Sequence, residues 1–447
     1  MIKNNIENKL SFISSEYFKA SHLKQNEKKI IFSKVIMLLK NNKLQLQKII
    51  MSEVKLTQAD AKKEIDRAID TFSTGIKFVD AIKTKKKNID HKIIIEKRIA
   101  RGPLLIITPF SSPLSSPAHK IVCGLIAGTS ILFKPSKLSQ KTGIFLYKLL
   151  KQVTNNRYID ILINSSKKQL NKILKDERIG IISFTGSYEN GKKIIKIGGV
   201  KKYHMELSGG NSSIVFTPDF DEYNKKLLGK VVSGIIAKNG QRCISIKHIF
   251  IPQSKSFFIE NLKDELIKIK KRLKKNKKEG MRLFLGPQIN EGHIKLTEGK
   301  ITDIISGQKN TPIIAFEKNK DFMYPAIYSL DNFSSKNIKN NLSYDLTGPI
   351  VFINFYKSDI EYKLIMDALK NDYIRSGLQI SFFTKDKKSI DNIVKDLIWG
   401  AIIFNNIPTY RSDYMSFGGF GRAGLGKEGF IETINMYTDV QSIVINN

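Results

Sequence analysis

The spacing of hydrophobic and polar positions divides this chain into stretches of different period. Residues 1–82 read as helices. Ile30, Ile31, Val35, Leu38 and Leu39 form one apolar stripe, and Ala61, Ile65, Ala68, Ile69 and Phe72 form another. Between His91 and Arg101 apolar and charged residues mix, which predicts a hairpin strand. From Gly102 onward strands and helices alternate. Leu104–Thr108 is a strand that breaks at Pro109, and Pro113–Ala127 is a helix ended by Gly128. Ser130–Phe133 is a strand, Gln140–Gln152 a helix, and Ile159–Ile163 and Ile181–Phe184 are strands. A further helix runs through Gly191 to Ile197. This rhythm predicts an α/β fold with a mostly parallel sheet and ligands beyond the carboxyl ends of its strands. Pro109–Pro113, Lys134–Lys137 and Thr185–Gly191 all fall there.

The second half carries the same signals less regularly. Leu227, Leu228, Val231, Val232, Ile235 and Ile236 mark an amphipathic helix that Asn239-Gly240 stops. Lys247–Ile251 reads as a strand and Ser256–Lys275 as a long basic helix, while residues 305–345 read as irregular. Pro349–Phe355, Ile380–Phe383 and Gly400–Phe404 are predicted strands. Met415–Gly429 is dense in glycine, yet its Phe and Leu residues argue for an ordered loop packed near a site. Val440–Ile445 reads as a last strand, at an edge or an interface.

Two residues bracket the candidate chemistry. Glu206 ends one apolar run and begins a glycine loop, and Cys243 follows the helix stop. Each is expected on a turn beside a rigid element, so that both face one cleft. That is the minimum apparatus for a thiol nucleophile with a general base. A lone cysteine more commonly packs as a small hydrophobe, so the weight rests on the flanking motifs. Gly186-Ser-Tyr-Glu-Asn-Gly191 departs from the dinucleotide fingerprint. It still offers a strand, a glycine, a hydroxyl and a helix start to a phosphate.

Composition changes this picture little. The 447 residues are 41% hydrophobic and suffice for two or three domains. Two cysteines, Cys123 and Cys243, leave no disulfide framework or zinc ribbon, and no metal site is expected. That fits a reducing, cytoplasmic setting. MIKNNIENKLSF lacks the apolar core of a signal peptide, and no apolar run has membrane-spanning length. A net charge of +34 raises a nucleic-acid or anionic-membrane partner. The lysines are spread along the chain, however, and their densest runs, Lys83–Lys87 and Lys270–Lys278, lack interleaved aromatics. A coding bias toward Lys, Asn and Ile explains them better, so neither a nucleic-acid nor a membrane partner is expected.

With these residues in view, the chain resembles the NAD(P)-dependent aldehyde dehydrogenase superfamily from about Glu27 to its C-terminus. The motifs follow in the family's order. They are Thr108-Pro109-Phe110 through Pro113, Phe133-Lys134-Pro135-Ser136, Phe184-Thr185-Gly186-Ser187 and Glu206-Leu207. After them come Gly240-Gln241-Arg242-Cys243, Gly348-Pro349, Ser376-Gly377-Leu378, Phe417-Gly418-Gly419 and Ala423–Gly426. The resemblance implies a Rossmann-like cofactor domain (residues 1–87 and 102–240) and an α/β catalytic domain (241–430). It also implies a small β element for oligomerisation (88–101 and 431–447) in a homodimer or homotetramer. Cys243 would attack a small aldehyde, hydride would pass to NAD or NADP, and Glu206 would activate the water that releases the acid. Lys134 would bind the cofactor ribose, and Ser187 with the Gly186 loop the pyrophosphate. Thr108, Pro109, Phe110, Ser136, Thr185, Gly191 and Leu207 would line the same cleft.

Four positions depart from the family's pattern. Ser111 stands where an Asn amide usually donates to the oxyanion, and losing such a donor typically costs about 10²–10³ in rate. Lys137 replaces a Glu that often grips the ribose hydroxyls, which favours the 2′-phosphate of NADP over NAD. Asp345-Leu-Thr347 replaces Glu-x-Phe beside the nicotinamide. Ser208-Gly209-Gly210 replaces Gly-Gly-Lys after Glu206. Arg411, just ahead of the Phe-Gly-Gly loop, is a candidate donor to an anionic group on the substrate, or equally one arm of a structural salt bridge. A small polar or anionic aldehyde is therefore expected. Two alternatives stay open: a CoA-acylating relative, disfavoured by Glu206, and a catalytically impaired member with a binding or assembly role.

Overall fold

In the computed structural model, which describes residues 5–209, 212–221, 224–306, 310–330, 334–370 and 377–446, the alternating segments build two large sheets. Gly210, Asn211 and Ser376 lie outside the described residues. The six-stranded sheet runs, from one edge, Gly424–Leu425, Lys202–Ser208, Ile181–Ser187, Leu104–Ile107, Ile131–Lys134 and Ile159–Ile161. All its pairings are parallel except that of Gly424–Leu425 with Lys202–Ser208. Leu104–Ile107 comes first in the chain yet sits inside the sheet. The chain builds outward on one side of it, then crosses back to the other. This reversal opens a crevice between the carboxyl ends of Leu104–Ile107 and Ile181–Ser187, the place where such sheets bind ligands.

The seven-stranded sheet runs Asn310–Ile314, Ala326–Leu330, Ile350–Tyr356, Ile246–Pro252, Ser212–Phe216, Gln379–Phe383 and Ala401–Phe404. It takes in Ser212–Phe216, so the expected division at residues 240/241 falls late. The helix Phe430–Tyr437 also departs from the expected division: Phe430, Ile434 and Tyr437 enter the core under the six-stranded sheet. Only Thr438–Asn446 joins the hairpin of Lys85–Ile89 and Lys92–Ala100, at the edge of a three-stranded sheet. Residues 305–345 correct a second expectation. They hold two strands of the seven-stranded sheet and the helix Ser335–Ser343. Asn310–Ile314 is an edge strand containing Pro312 and a register shift, a pattern with no alternation to read.

Four helices, Ile6–Ser21, Gln25–Asn41, Lys43–Val54 and Gln58–Phe78, precede the sheets. Ile31, Val35 and Leu39 pack with Ala61, Ile65, Ala68 and Phe72 against Ile121 and Val122 of the helix Ser115–Ala127. Each such large side chain contributes about 1.5–3 kcal/mol on burial. Ile30, assigned to that stripe, is exposed.

One buried carboxylate ties these layers together. Glu64, on the helix Gln58–Phe78, is 1% exposed. Its Oε1 accepts from the backbone N–H of Leu114 (3.1 Å) and Ser115 (2.9 Å) and from the Ser115 hydroxyl (2.9 Å). It thus caps the N-terminus of Ser115–Ala127, where a negative charge is favoured. Its Oε2 accepts from Lys238 Nζ at 2.6 Å. Lys238 Nζ also donates to the Ser111 carbonyl (3.0 Å) and the Ser112 hydroxyl (3.1 Å). Burial pushes the Glu64 carboxyl up, but Lys238 and the two N–H groups outweigh it and hold it below its ordinary value. Glu64→Ala would leave Lys238 without its counter-charge. The expected loss of stability is about 3–5 kcal/mol, read from urea unfolding. A depressed carboxyl stabilises fully above the ordinary glutamate range. Its contribution disappears as pH falls through the lower folded value, so variant and wild type should converge in acid.

Candidate active site

The strand Lys202–Ser208 places its side chains alternately. Tyr203, Met205 and Leu207 face one layer, and Lys202, His204, Glu206 and Ser208 face the other. Glu206 therefore sits inside a strand rather than on a turn. It is in register with Thr185 on one side and Gly424 on the other. Its carboxylate oxygens lie under Gly418, where a Cβ would come within 3.1 Å of Oε1 and 3.2 Å of Oε2. Both oxygens are buried without a hydrogen-bond partner, and His204 Nε2 stands 3.4 Å from Oε1. Lys427 ties down the roof by donating to the carbonyls of Gly418 and Gly419.

Cys243 is presented by a turn that the expected helix stop explains. Lys238, Asn239 and Gly240 take left-handed φ values of 50°, 60° and 68° in succession. A left-handed non-glycine residue costs roughly 1–2 kcal/mol, and the flanking hydrogen bonds offset it. Lys238 N donates to Asp60 (2.8 Å), Asn239 Nδ2 to the carbonyls of Lys55 (3.0 Å) and Pro287 (2.8 Å), and Gly286 N to Asn239 Oδ1 (2.6 Å). A Cβ on Gly240 would collide with the Gly348 carbonyl. Lys247, fully buried, donates to the carbonyls of both Gly240 (3.1 Å) and Gly348, locking the two loops together.

One cavity of about 260 Å³ gathers most of the expected residues. Cys243, Glu206, Ser111 and Arg411 line it, with Pro109, Phe110, Thr185, Gly186, Ser187, Leu207, Asp345 and Thr347. Thr108, Lys134, Ser136, Lys137 and Gly191 do not. Thr108 is buried behind the crevice, with an unpartnered hydroxyl like that of Thr185. Lys134, Ser136 and the exposed Lys137 sit at the carboxyl end of Ile131–Lys134. Gly191 lets the helix Tyr188–Gly198 rest on Leu207. Ser187 Oγ accepts from Asn190 N (3.4 Å) and so caps that same helix.

Enclosure sets the charge states. Cys243 is open to the cavity but otherwise surrounded, which pushes its thiol up; Arg242 and Arg411 pull it back. Burial and the neighbouring Glu428 hold the Glu206 carboxyl well above its usual range, against Lys120, Arg411 and Lys427. Glu428 goes the other way. Burial would raise it, but Arg411 and Lys120 hold it far below. Two carboxyls in one site thus have opposite tendencies. Arg411 is ion-paired to Glu428 and stacked 4.1 Å over Phe417, so it meets the cavity already engaged.

Sequence reading gave no role to several residues that shape the site. Arg67 and Arg242 add positive charge to the cavity wall. Arg67 is held by Asp413 (2.7 Å), whereas Arg242 makes no ion pair among the described residues. His293 lines the cavity with its ring against Phe110, 5.4 Å between centroids, while Thr347 donates to or accepts from Thr297 at 2.7 Å. Lys120 is fully buried, 3.7 Å from Glu428. A lysine directly ahead of the apolar run Ile121–Ala127, on a helix expected to be buried, was a signal for this residue.

Comparison with known proteins shows the family. A family model described as the aldehyde dehydrogenase family matches residues 12–443. Lactaldehyde dehydrogenase of Methanococcus aeolicus is 28% identical over 423 residues, 93% of this chain and 87% of the relative. The 3-sulfolactaldehyde dehydrogenase of Priestia megaterium is 25% identical over 428 residues, 93% and 85% of the two chains. Among solved structures, glyceraldehyde-3-phosphate dehydrogenase of Methanocaldococcus jannaschii, complexed with NADP, superposes with a TM-score of 0.87 at 23% identity. That match covers 99% of this chain and 94% of the other. Aldehyde dehydrogenase 21 of Physcomitrella patens, bound to its product succinate, gives 0.87 at 22%, covering 99% and 90%. Since the family model spans nearly the whole sequence, this chain belongs to the aldehyde dehydrogenase family.

Proposed function

We propose that this enzyme oxidises a small anionic aldehyde to its carboxylic acid with NADP, through a thioester on Cys243. The observation that carries this reading is the single cavity shared by Cys243, Glu206 and Ser111 at the switch point of the six-stranded sheet. The residues present fit a dinucleotide. The hydroxyls of Thr108 and Thr185 are buried without protein partners, and Gly186 and Ser187 open the helix Tyr188–Gly198. Lys134 would hold the adenosine ribose and Lys137 the 2′-phosphate, with Asp345 toward the second ribose. NADP, when bound, supplies a hydride acceptor.

The chain's own residues do the rest. Arg242 and Arg411 favour the Cys243 thiolate, which bonds to the aldehyde carbon. Ser111 and the Cys243 backbone N–H donate to the resulting oxyanion. After the hydride leaves, Glu206 takes a proton from water, hydroxide adds to the thioester, and the thiolate departs with the acid released. Two groups held up by burial predict a rate that rises with pH as Glu206 and Cys243 lose their protons. For the substrate, Arg242 is a cationic side chain on the wall that makes no ion pair among the described residues, and the cavity volume suits a three- or four-carbon anion. The names of the lactaldehyde and 3-sulfolactaldehyde relatives support the same size class. We also propose a homo-oligomer through the outer edge of Thr438–Asn446, where Val440, Val444 and Ile445 are exposed.

Four variants test this in stopped-flow assays of NAD(P)H formation with small anionic aldehydes. Cys243→Ser should abolish all turnover. Glu206→Gln should keep the first burst and lower the steady-state rate by about 10²–10⁴. A Glu206→Gln enzyme that turns over normally would sink this mechanism. Lys137→Glu should weaken NADP about tenfold or more and leave NAD little changed, since one charge-assisted contact is worth about 1.5–3 kcal/mol. Arg242→Gln should raise KM for anionic aldehydes about tenfold or more while sparing neutral ones of equal size.

A further inference from the structure

His204 has no part in the steps above, yet it stands on the same strand face as Glu206. It is fully buried and in register with Ser183 on the neighbouring strand. The Ser183 oxygen accepts from Lys120 Nζ at 3.0 Å and from the Tyr437 hydroxyl at 2.8 Å. Both lone pairs are then used, so the Ser183 proton goes to His204 Nδ1, 3.1 Å away. A neutral imidazole that accepts at Nδ1 carries its proton on Nε2. That atom lies 3.4 Å from Glu206 Oε1; neither it nor either carboxylate oxygen has another side-chain partner among the described residues, and the Lys427 carbonyl is the competing acceptor beside the ring.

We propose that His204 is a positioning residue for Glu206: Ser183 fixes its tautomer, and its Nε2–H donates to the carboxylate and holds it toward the cavity as a charged base. The proposal rests on reading Glu206 as the base. The groups facing His204 are Lys120 and His119 from the helix Ser115–Ala127, Glu428 and the Lys427 carbonyl from the segment after Leu425, and Tyr437 from Phe430–Tyr437. Burial, with Lys120 beside it, keeps the imidazole neutral. The donor tautomer therefore persists through the assay range, and no proton leaves the ring during turnover. A small movement of the carboxylate shortens 3.4 Å to a full hydrogen bond. A donor stabilises the charged carboxylate, so removing it raises the pH at which Glu206 becomes a base.

The test compares His204→Phe, which keeps the ring but loses the donor, with His204→Gln, whose amide can donate. Burst and steady-state NAD(P)H formation are followed across pH, with folding checked by thermal melting. For His204→Phe the burst should survive, the steady-state rate at neutral pH should fall about tenfold or more, and the acid limb of kcat should move upward. His204→Gln should recover most of the loss. A folded His204→Phe with an unchanged acid limb, or with burst and steady state reduced by one common factor, overturns the proposal. Should His204→Phe not fold, Ser183→Ala frees the tautomer and should move the limb the same way by a smaller amount; no movement overturns the proposal equally. A wild-type enzyme without a burst, or a Glu206→Gln enzyme at full steady-state rate, would instead remove the base reading itself.

Discussion

The structure turns on the carboxylate of Glu64. One oxygen closes the N-terminus of the helix Ser115–Ala127, and the other neutralises Lys238. Through Lys238 it reaches the Ser111 loop on one side and the left-handed turn before Cys243 on the other. A buried ion pair adds little stability against an apolar alternative, but losing one partner is costly. Its effect here is geometric: two loops from two different sheets are held at one fixed separation. The Ser111 loop and the Cys243 thiol therefore share a frame that neither sheet supplies alone.

The second constraint is desolvation. A cavity enclosed enough to exclude water also disfavours every isolated charge in it. Glu428 escapes because Arg411 and Lys120 face it. Glu206 and Cys243 have weaker support, so both lean toward their neutral forms at rest. A thiol and a carboxyl held neutral react little with whatever else enters the cavity.

Much of this was legible in the sequence. The strand and helix rhythm from Gly102 to Ile197 is period-driven and survived folding, apart from the helix Lys167–Lys175, which the reading passed over. The motif order identified the family because glycine turns and a lone Cys and Glu recur at family-specific places. The site's electrostatics were less legible. Arg411 read equally as a substrate donor or as one arm of a structural ion pair; the pair forms, but its partner Glu428 lies across a glycine loop, and pairing at such range leaves no local trace. Glu206 read as a turn residue because Ser208 and Gly209 follow it, while the Gly424 partner that makes it a strand lies far along the chain. The alternation of Lys202, His204, Glu206 and Ser208 against Tyr203, Met205 and Leu207 was present in the sequence. It shows a polar stripe only once the helix above is known to bury it.

The roof over Glu206 has a consequence for biosynthesis. Gly418, Gly424 and Lys427 leave the ribosome long after Cys243 and Glu206. Pairings that span so much sequence form slowly. During translation the thiol sits in a half-built site, without its base in place and without the glycine loop that closes it. The two sheets can assemble first as separate units. The enclosure that pushes the Glu206 carboxyl and the Cys243 thiol up is therefore complete only when the last loop docks.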